Sequence, residues 1–174
     1  LREAGMDPYP PRVKRTHTAS QCIAEFSALH AAGKKIYVAG RVRSIRDQGK
    51  IIFVHIEDGS GRIQLVLKKE EVKNFPILKK SLDIGDFVAA GGTLFKTQTK
   101  EKSIWVKEMS IITKSLRAIP TDYYGLEDTE MRLRKRYLDT LLNPEVKDLF
   151  IKKSRFWRAI RTFLEENGFL AVET

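Results

Sequence analysis

The stretch that decides the fold is VAGRVRSIRDQGKIIFVHIEDGSGRIQLVL, residues 38–67. Apolar and polar residues alternate through it with the two-residue period of a half-buried β-strand. Two clusters of turn residues, Asp47–Gly49 and Asp58–Gly61, divide it into three segments. We therefore predict three strands joined by tight turns. Their buried faces are predicted to carry Val38, Val42, Val54, Ile56, Ile63 and Leu65.

The residues that follow complete the predicted sheet. The pattern indicates a short helical segment around Glu70–Lys80, interrupted near Pro76. Two more strands fit Phe87–Phe95 and Ser103–Ile112, joined by a polar turn at Thr97–Lys102. Three strands, a small helix and two strands are the order of an OB-fold, a fold that commonly binds oligonucleotides, although other small barrels give similar patterns. The predicted fold class is mainly β with α, with a five-stranded OB-fold barrel over residues 34–114.

The residues before the barrel predict an extended segment followed by a helix. Several prolines near the start favour an extended chain over residues 1–17. Thr18 and Gln21 form a capping-box pattern, apolar residues then recur at helical spacing, and Gly33 is a natural stop. We expect residues 1–33 to be an extended segment plus one short helix docked on the barrel.

The residues after the barrel predict a linker and a long amphipathic helix. Residues 115–143 are charged and read as an irregular linker. Asn143 and Pro144 are typical of a helix start, and a short strand is expected from Gly168 onward. The helix carries an apolar stripe of Val146, Leu149, Phe150, Phe156, Trp157, Ile160, Phe163 and Leu164. This stripe needs a partner, which is either the barrel, other parts of the protein or a second subunit.

Composition points to a polyanionic partner. The formal net charge of +10 favours nucleic acid, because Lys and Arg contacts to phosphate drive association, although a well-solvated basic surface is the alternative. The lone cysteine, Cys22, forms no internal disulfide and is expected to pack as a small apolar residue. Apolar runs are too short to span a bilayer, and no signal-peptide pattern is present. We expect a cytoplasmic protein.

Several kinds of catalytic and metal site find no support in the sequence. The glycines at Gly85 and Gly91–Gly92 are not followed by the lysine of a phosphate-binding loop. His17, His30 and His55 are widely separated and lack metal-ligand spacing. No Ser/His/Asp arrangement is credible. We predict no catalytic, cofactor-binding or metal-binding residue within these 174 residues.

Strand parity indicates where nucleic acid would bind. If the first three strands bury the faces given above, then Arg41, Phe53 and Gln64 all point to the opposite face. An outward phenylalanine is a platform for a base, and an amide reads a base edge. Glu101, in the last turn, adds an acceptor to a basic region. His55 shares the face of Phe53 and is either an RNA contact or an ordinary surface histidine. The alternatives are that Phe53 packs under the first helix and that the other three are ordinary surface residues.

The same segment resembles the anticodon-binding domain that lysyl-, aspartyl- and asparaginyl-tRNA synthetases share. In that family an arginine, a phenylalanine, a glutamine and a glutamate surround the central anticodon uridine, and they match Arg41, Phe53, Gln64 and Glu101. The resemblance implies that the uracil stacks on Phe53 and that Gln64 contacts its edge. The match is weakest at Glu101, because Lys100 stands where the family often has glycine.

The resemblance covers nearly the whole chain. DPYP at Asp7–Pro10, SLRAIP at Ser115–Pro120 and GLED followed by RKRYLDTLLNPEV are similar to lysyl-tRNA synthetases, and GFLAVET resembles class II motif 1 at the dimer interface. Residues 144–174 would then be the motif 1 helix and the start of a truncated catalytic domain. The resemblance implies a homodimer that uses ATP, Mg²⁺ and lysine to charge tRNA. Motifs 2 and 3 are absent from this chain, so it is expected to be inactive alone.

Two other functions remain open at this point. One is the corresponding region of an aspartyl or asparaginyl enzyme, in which RYLD also occurs. The other is a stand-alone OB module that binds single-stranded nucleic acid with little sequence preference.

Overall fold

A computed structural model describes residues 1–117, 119 and 128–172. The chain divides into two compact units, Leu1–Ala118 and Ile119–Thr174. The first unit contains a 3₁₀ turn (Arg2–Ala4), the helices α1 (Ala19–Ala24), α2 (Phe26–Ala31) and α3 (Phe75–Ser81), and the strands β1 (Ile36–Asp47), β2 (Ile51–Asp58), β3 (Gly61–Lys68), β4 (Phe87–Lys96) and β5 (Lys102–Thr113). The second contains α4 (Thr129–Arg134), α5 (Arg136–Leu142) and α6 (Pro144–Glu166).

The five strands of the first unit form a closed barrel in the order β1-β2-β3-β5-β4. Neighbouring strands are antiparallel except for β3 and β5, which pair in parallel. Helix α3 lies between β3 and β4 in sequence and begins at Phe75, with Pro76 in its first turn, so the proline starts this helix instead of interrupting it. The order confirms the predicted OB-fold barrel.

The barrel interior is filled by the apolar residues of alternate strand positions. The six predicted inward residues are all buried: Val38, Val42, Val54, Ile56, Ile63 and Leu65. Ile104, Val106 and Ile111 of β5 are also fully buried and belong to the same cluster. Burial of a large aliphatic side chain stabilises a fold by about 1.5–3 kcal/mol, so this cluster is the main stabilising element of the unit.

The predicted N-terminal helix is two helices. Thr18 and Gln21 form the expected capping box at the start of α1. Glu25 then leaves helical geometry, with φ −92° and ψ 15°, and α2 begins at Phe26. Cys22 is buried against the barrel, and burial raises the pKa of its thiol to about 11. This thiol therefore stays protonated and packs as an apolar residue, as predicted.

A bulge in β1 breaks the simple alternation of the first strand. Val42 pairs with Ile56 and Ser44 pairs with His55, so Arg43 is an extra residue between two consecutive pairs. Residues after the bulge therefore change face, and Ile45 pairs with buried Val54. Ser44 and Arg46 consequently lie on the outer side. A strict two-residue period read from the sequence does not reveal this change.

Gly92 allows β4 and β5 to approach each other closely. The pairing of the two strands shifts register between Gly91 and Gly92. A Cβ atom on Gly92 would lie 2.1 Å from the backbone oxygen of Trp105, a distance that no side chain tolerates. Gly92 therefore permits the close pairing of two strands in the barrel wall.

The second unit differs from the sequence-based prediction. Residues 129–142, predicted to be irregular, form α4 and α5, whose side chains converge on the buried carboxylate of Asp139. Residues 169–172, the described part of the predicted C-terminal strand, are not in a strand. Gly125–Glu127, Ala118 and Pro120 of the quoted motifs lie outside the described residues. Among the described helices, none is long and apolar enough to cross a membrane.

Candidate nucleic-acid interface

Strand register places the candidate site in two adjacent rows across the outer barrel surface. One row runs through cross-strand partners of β1, β2, β3, β5 and β4: Ser44, His55, Gln64, Ser103 and Phe95. The neighbouring row runs through the same strands: Arg46, Phe53, Val66, Trp105 and Thr93. Neighbouring strands are about 4.8 Å apart, so directly paired side chains are close enough to touch. Three of the four predicted site residues lie on or beside these rows.

Phe53 lies in the middle of the outer surface and is half-buried. It is absent from the core cluster that joins the barrel to α1 and α2, so it does not pack beneath the first helices. The guanidinium of Arg46 lies 4.6 Å from the ring centroid. The guanidinium lies over a face of the ring, so a base stacks on that face only when Arg46 moves away, and the displaced cation can then pair with the phosphate of the base.

Gln64 is buried, although the sequence suggested a position on the solvent side. Its Oε1 accepts a hydrogen bond of 2.9 Å from the hydroxyl of Ser103. Its Nε2 donates to Oε2 of Glu101 at 2.8 Å. The amide is therefore engaged within the protein on both sides, and it holds the glutamate in place.

Glu101 lies at the tip of the β4–β5 hairpin, in a turn with a fixed backbone. Its N–H donates to Oγ1 of Thr97 at 3.0 Å, and its carbonyl accepts from the N–H of Thr97 at the same distance. Lys100, directly before it, has φ 63°, the left-handed conformation that glycine adopts most easily. The tip thus keeps a glycine-like geometry although a lysine occupies the position where related domains often have glycine.

His55 is the site residue whose role the sequence left open. Its Nε2 lies 2.9 Å from Oε1 of Glu101, and its Nδ1 lies 3.0 Å from the hydroxyl of Ser44. The sequence showed only that His55 shares the face of Phe53. Its contact with Gln64 comes from cross-strand pairing. Its contact with Glu101 comes from the β4–β5 hairpin tip, which is distant in sequence. Phe53, His55, Gln64 and Glu101 therefore form one patch, which we call the outer-face cluster.

Arg41 lies away from the outer-face cluster. It pairs with Glu57, which is four residues along β2 from Phe53, or about 13 Å at the rise of a strand. Its guanidinium lies 4.5 Å from the ring centroid of Phe87. Burial and the neighbouring cation of Arg43 lower the pKa of Arg41 from its ordinary value, while Glu57 acts in the opposite direction. Strand parity correctly predicted that Arg41 lies on the outer face, but it did not show that Arg41 lies outside the outer-face cluster.

Trp105 is held by polar and aromatic neighbours on the same surface. Its indole N–H donates to Oε2 of Glu71 at 2.5 Å, and its ring meets Phe95 edge-on at 4.8 Å. Nζ of Lys68 lies 4.2 Å from the ring centroid. A hydrogen bond from Lys107 lowers the pKa of Glu71, against a smaller opposing effect of burial. These contacts favour packing over base stacking as the role of Trp105.

The described residues provide no grouping that suits a metal ion. No cluster of three or more His, Cys, Asp or Glu side chains able to hold one occurs among them. The outer-face cluster consists of one aromatic ring, one exposed carboxylate and the donors that hold this carboxylate. Cations flank the cluster at Arg46 and Lys68.

Two family models match the chain. Residues 36–112 match an OB-fold nucleic acid binding domain, and residues 128–174 match the class II tRNA synthetases of the D, K and N type. The first range begins with β1 and ends one residue before the end of β5. The second covers α4, α5 and α6.

Relatives in several bacteria are similar to the chain over its full length. A lysine–tRNA ligase of Roseiflexus castenholzii is 47% identical over 177 residues, covering 100% of this chain and 36% of the relative. Lysine–tRNA ligases of Carboxydothermus hydrogenoformans and Clostridium perfringens are 42% and 44% identical, with 100% of this chain and 36% and 35% of the relatives covered. The chain thus spans about a third of the length of these relatives.

Proposed function

Because the chain belongs to the lysyl-tRNA synthetase family of class II synthetases, we propose that its barrel binds the anticodon loop of a lysine tRNA. The observation that carries the proposal is the outer-face cluster: an aromatic ring, an amide-held carboxylate and flanking cations on the surface of an OB-fold barrel. OB-folds bind single strands by stacking bases on aromatic rings within a basic groove. The anticodon presents such unpaired bases.

The cluster suits a central uridine. The uracil ring stacks on Phe53, for which Arg46 moves aside or pairs with the adjoining phosphate. The carboxylate of Glu101 accepts from the N3–H of uracil, because an ionised carboxylate only accepts hydrogen bonds. Gln64 supports that carboxylate and has a second amide hydrogen beyond the one given to Glu101. This division of roles assigns edge reading mainly to Glu101.

Stacking on Phe53 is tested by titrating an anticodon stem-loop with three variants. Phe53→Ala is expected to weaken binding by about 1–3 kcal/mol, the usual contribution of one stacked base. Phe53→Leu keeps the apolar bulk but removes the aromatic face, so it should weaken binding nearly as much. Phe53→Trp should retain affinity. A folded Phe53→Ala protein that binds as tightly as wild type would show that the base does not stack here.

Arg41 has a different proposed role, since it lies about 13 Å along the strand from Phe53. We assign it a contact to a phosphate of the loop, not to the central base. Arg41→Ala should weaken binding of every stem-loop by a similar factor and reduce the slope of log K against log salt by about 1. Lys73→Ala, at an exposed lysine of the β3–α3 connection, serves as the charge-matched control. A loss confined to one anticodon sequence would contradict the assignment.

For the whole protein, we propose lysine–tRNA ligase activity. It would use ATP and Mg²⁺ to form lysyl-adenylate and then esterify tRNA. We assign no ATP or Mg²⁺ site to the residues of this chain and expect it not to aminoacylate by itself. Lysine-dependent ATP–pyrophosphate exchange by the full-length protein tests the proposal. Exchange driven by aspartate or asparagine instead would overturn it.

The apolar stripe of α6 is the proposed contribution of this chain to a homodimer. No residue of α6 is buried, and Phe156, Trp157 and Phe163 are among its exposed aromatic residues. Contiguous apolar surface of this kind marks an interaction site. Sedimentation of the full-length protein should show a dimer that Phe163→Asp dissociates, and an unchanged dimer would argue against this role.

We place the protein in the cytoplasm, where tRNA charging takes place.

A further inference from the structure

We propose that His55 is a positioning residue that orients the carboxylate of Glu101 and thereby sets base discrimination more than overall affinity. The inference rests on the proposed function, since it concerns the site at which the barrel would read a base. It gives a role to a histidine whose role the sequence left open.

The two oxygens of the Glu101 carboxylate each have one protein donor. Oε1 accepts from Nε2 of His55 at 2.9 Å, and Oε2 accepts from Nε2 of Gln64 at 2.8 Å. Each oxygen keeps a further lone pair for a ligand. Immobilising a free glutamate side chain costs rotamer entropy. A carboxylate that is already oriented avoids this cost when the base binds.

Both donors are in turn held by serines on the flanking strands. Nδ1 of His55 lies 3.0 Å from the hydroxyl of Ser44, and Oε1 of Gln64 accepts from Ser103 at 2.9 Å. Because a carboxylate only accepts, the tautomer that fits these contacts carries its hydrogen on Nε2 and accepts from Ser44 at Nδ1. Nε2 of His55 also lies 3.4 Å from Nε2 of Gln64. His55 is therefore engaged at both nitrogens and influences a base through Glu101.

The pair contributes more to orientation than to stability. The side chains of His55 and Glu101 are 37% and 43% exposed. Exposed pairs of this type contribute little to the stability of a fold, because solvent screens them. The bulge in β1 nevertheless places Ser44 opposite His55, and the β4–β5 turn brings Glu101 over it. The structure thus fixes a carboxylate direction without a large gain in stability.

A carboxylate fixed opposite ring position 3 distinguishes uracil from cytosine. N3 of uracil donates a hydrogen, whereas N3 of cytosine carries a lone pair that the carboxylate repels, and the amino donor of cytosine lies at N4, a different position on that edge. A freely rotating glutamate turns away from cytosine at little cost and loses part of this discrimination. The ratio of affinities for stem-loops with uridine and with cytidine at the central position is therefore the quantity that reports on His55.

The test measures that ratio for His55→Gln, His55→Asn and His55→Ala. A glutamine amide reaches close to the position of Nε2 and donates to Glu101, so His55→Gln should keep the ratio within about threefold of wild type. The shorter asparagine amide does not reach, so His55→Asn should lower the ratio about tenfold, as should His55→Ala. The Gln and Asn variants are a matched pair, and their comparison does not depend on the alanine variant folding.

A double-mutant cycle separates positioning from direct contact. Glu101→Ala should abolish most of the uridine preference, and adding His55→Ala to it should change the ratio by less than about twofold. A further loss in the double mutant, an equal loss of affinity for both stem-loops, or equal behaviour of the Gln and Asn variants would overturn the inference. If wild type itself fails to bind, or Phe53→Ala binds normally, the proposed anticodon site fails instead.

Discussion

The barrel and helix α6 contain the same kinds of apolar side chain, but the barrel buries them and α6 leaves them exposed. Ile36, Leu65 and Ile104 are fully buried in the barrel, whereas no residue of α6 is buried. The exposed large apolar residues of α6 are Leu149, Phe150, Ile151, Phe156, Trp157, Ile160, Phe163 and Leu164. A closed sheet satisfies its two-residue pattern within the chain, while one amphipathic helix needs another element to cover its stripe.

Among the residues that the structure describes, each unit has one fully buried carboxylate, Asp86 in the first and Asp139 in the second. Asp86 in the barrel unit accepts from Nζ of Lys114 at 2.9 Å and from the backbone N–H of Ser115 at 2.7 Å, beside a complete apolar core. Asp139 accepts from Arg132, Arg136 and Asn143 at 3.0, 2.6 and 2.6 Å. The barrel is thus held by apolar packing that polar contacts supplement, whereas α4 and α5 are organised around polar contacts.

The largest expected effect is the difference between truncating an apolar side chain in the barrel core and truncating an apolar side chain on α6. Ile104→Ala removes a fully buried side chain from the barrel and should lower its free energy of unfolding by about 2–5 kcal/mol. Phe163→Ala removes a side chain that is 63% exposed, and should change that free energy by less than about 0.5 kcal/mol in this chain. Urea unfolding measures both values.

The fluorescence of Trp105 is the signal that follows unfolding of the barrel in this comparison. The chain has two tryptophans, so in a Trp157→Phe background Trp105 alone reports on the barrel. Similar losses in the two variants would show that α6 depends on the barrel for its packing, and would remove the contrast. A small loss for Ile104→Ala would show that the barrel is loosely packed.

A smaller effect is expected at Asp139, and it depends on pH. Burial raises the pKa of Asp139, but hydrogen bonds from Asn143 and the two arginines outweigh burial, so the pKa lies below the ordinary 3.8. The folded state therefore favours the ionised form, and the unfolded state binds more protons as the pH falls. The stabilisation is fully present above pH 3.8 and is lost as the pH falls through the lower, folded-state value.

Asp139→Asn is the variant that tests this dependence. At pH 7 the variant should lose helical circular dichroism signal, up to the part of the signal that α4 and α5 contribute. At acid pH its signal should converge with that of wild type. Asp148→Asn, at an exposed aspartate of α6, is the matched control and should follow wild type throughout. A constant difference between Asp139→Asn and wild type at every pH would mean that the carboxylate charge is not what organises these helices.

The site was predictable where it depends on strand parity and unpredictable where it depends on long-range contacts. Alternation around Val54 and Ile63 was enough to place Phe53 and Gln64 on a common side of the sheet. The burial of Gln64 was not visible, because it comes from Glu101 and Ser103, 37 and 39 residues away in sequence. The role of His55 was missed for the same reason, since its partner Glu101 is 46 residues away.

Local signals determined the five strands and the first helix of this protein, and tertiary contacts determined how these elements meet. The strand period, the turns at Asp47–Gly49 and Asp58–Gly61 and the capping box at Thr18 depend on residues that are close in sequence. The sequence alone therefore determined the strands, their order along the chain and the start of α1. The β1 bulge, the separation of Arg41 from Phe53 and the shared hold on Glu101 arise only when distant strands meet. Closure of the barrel decides those, because it sets which atoms become neighbours.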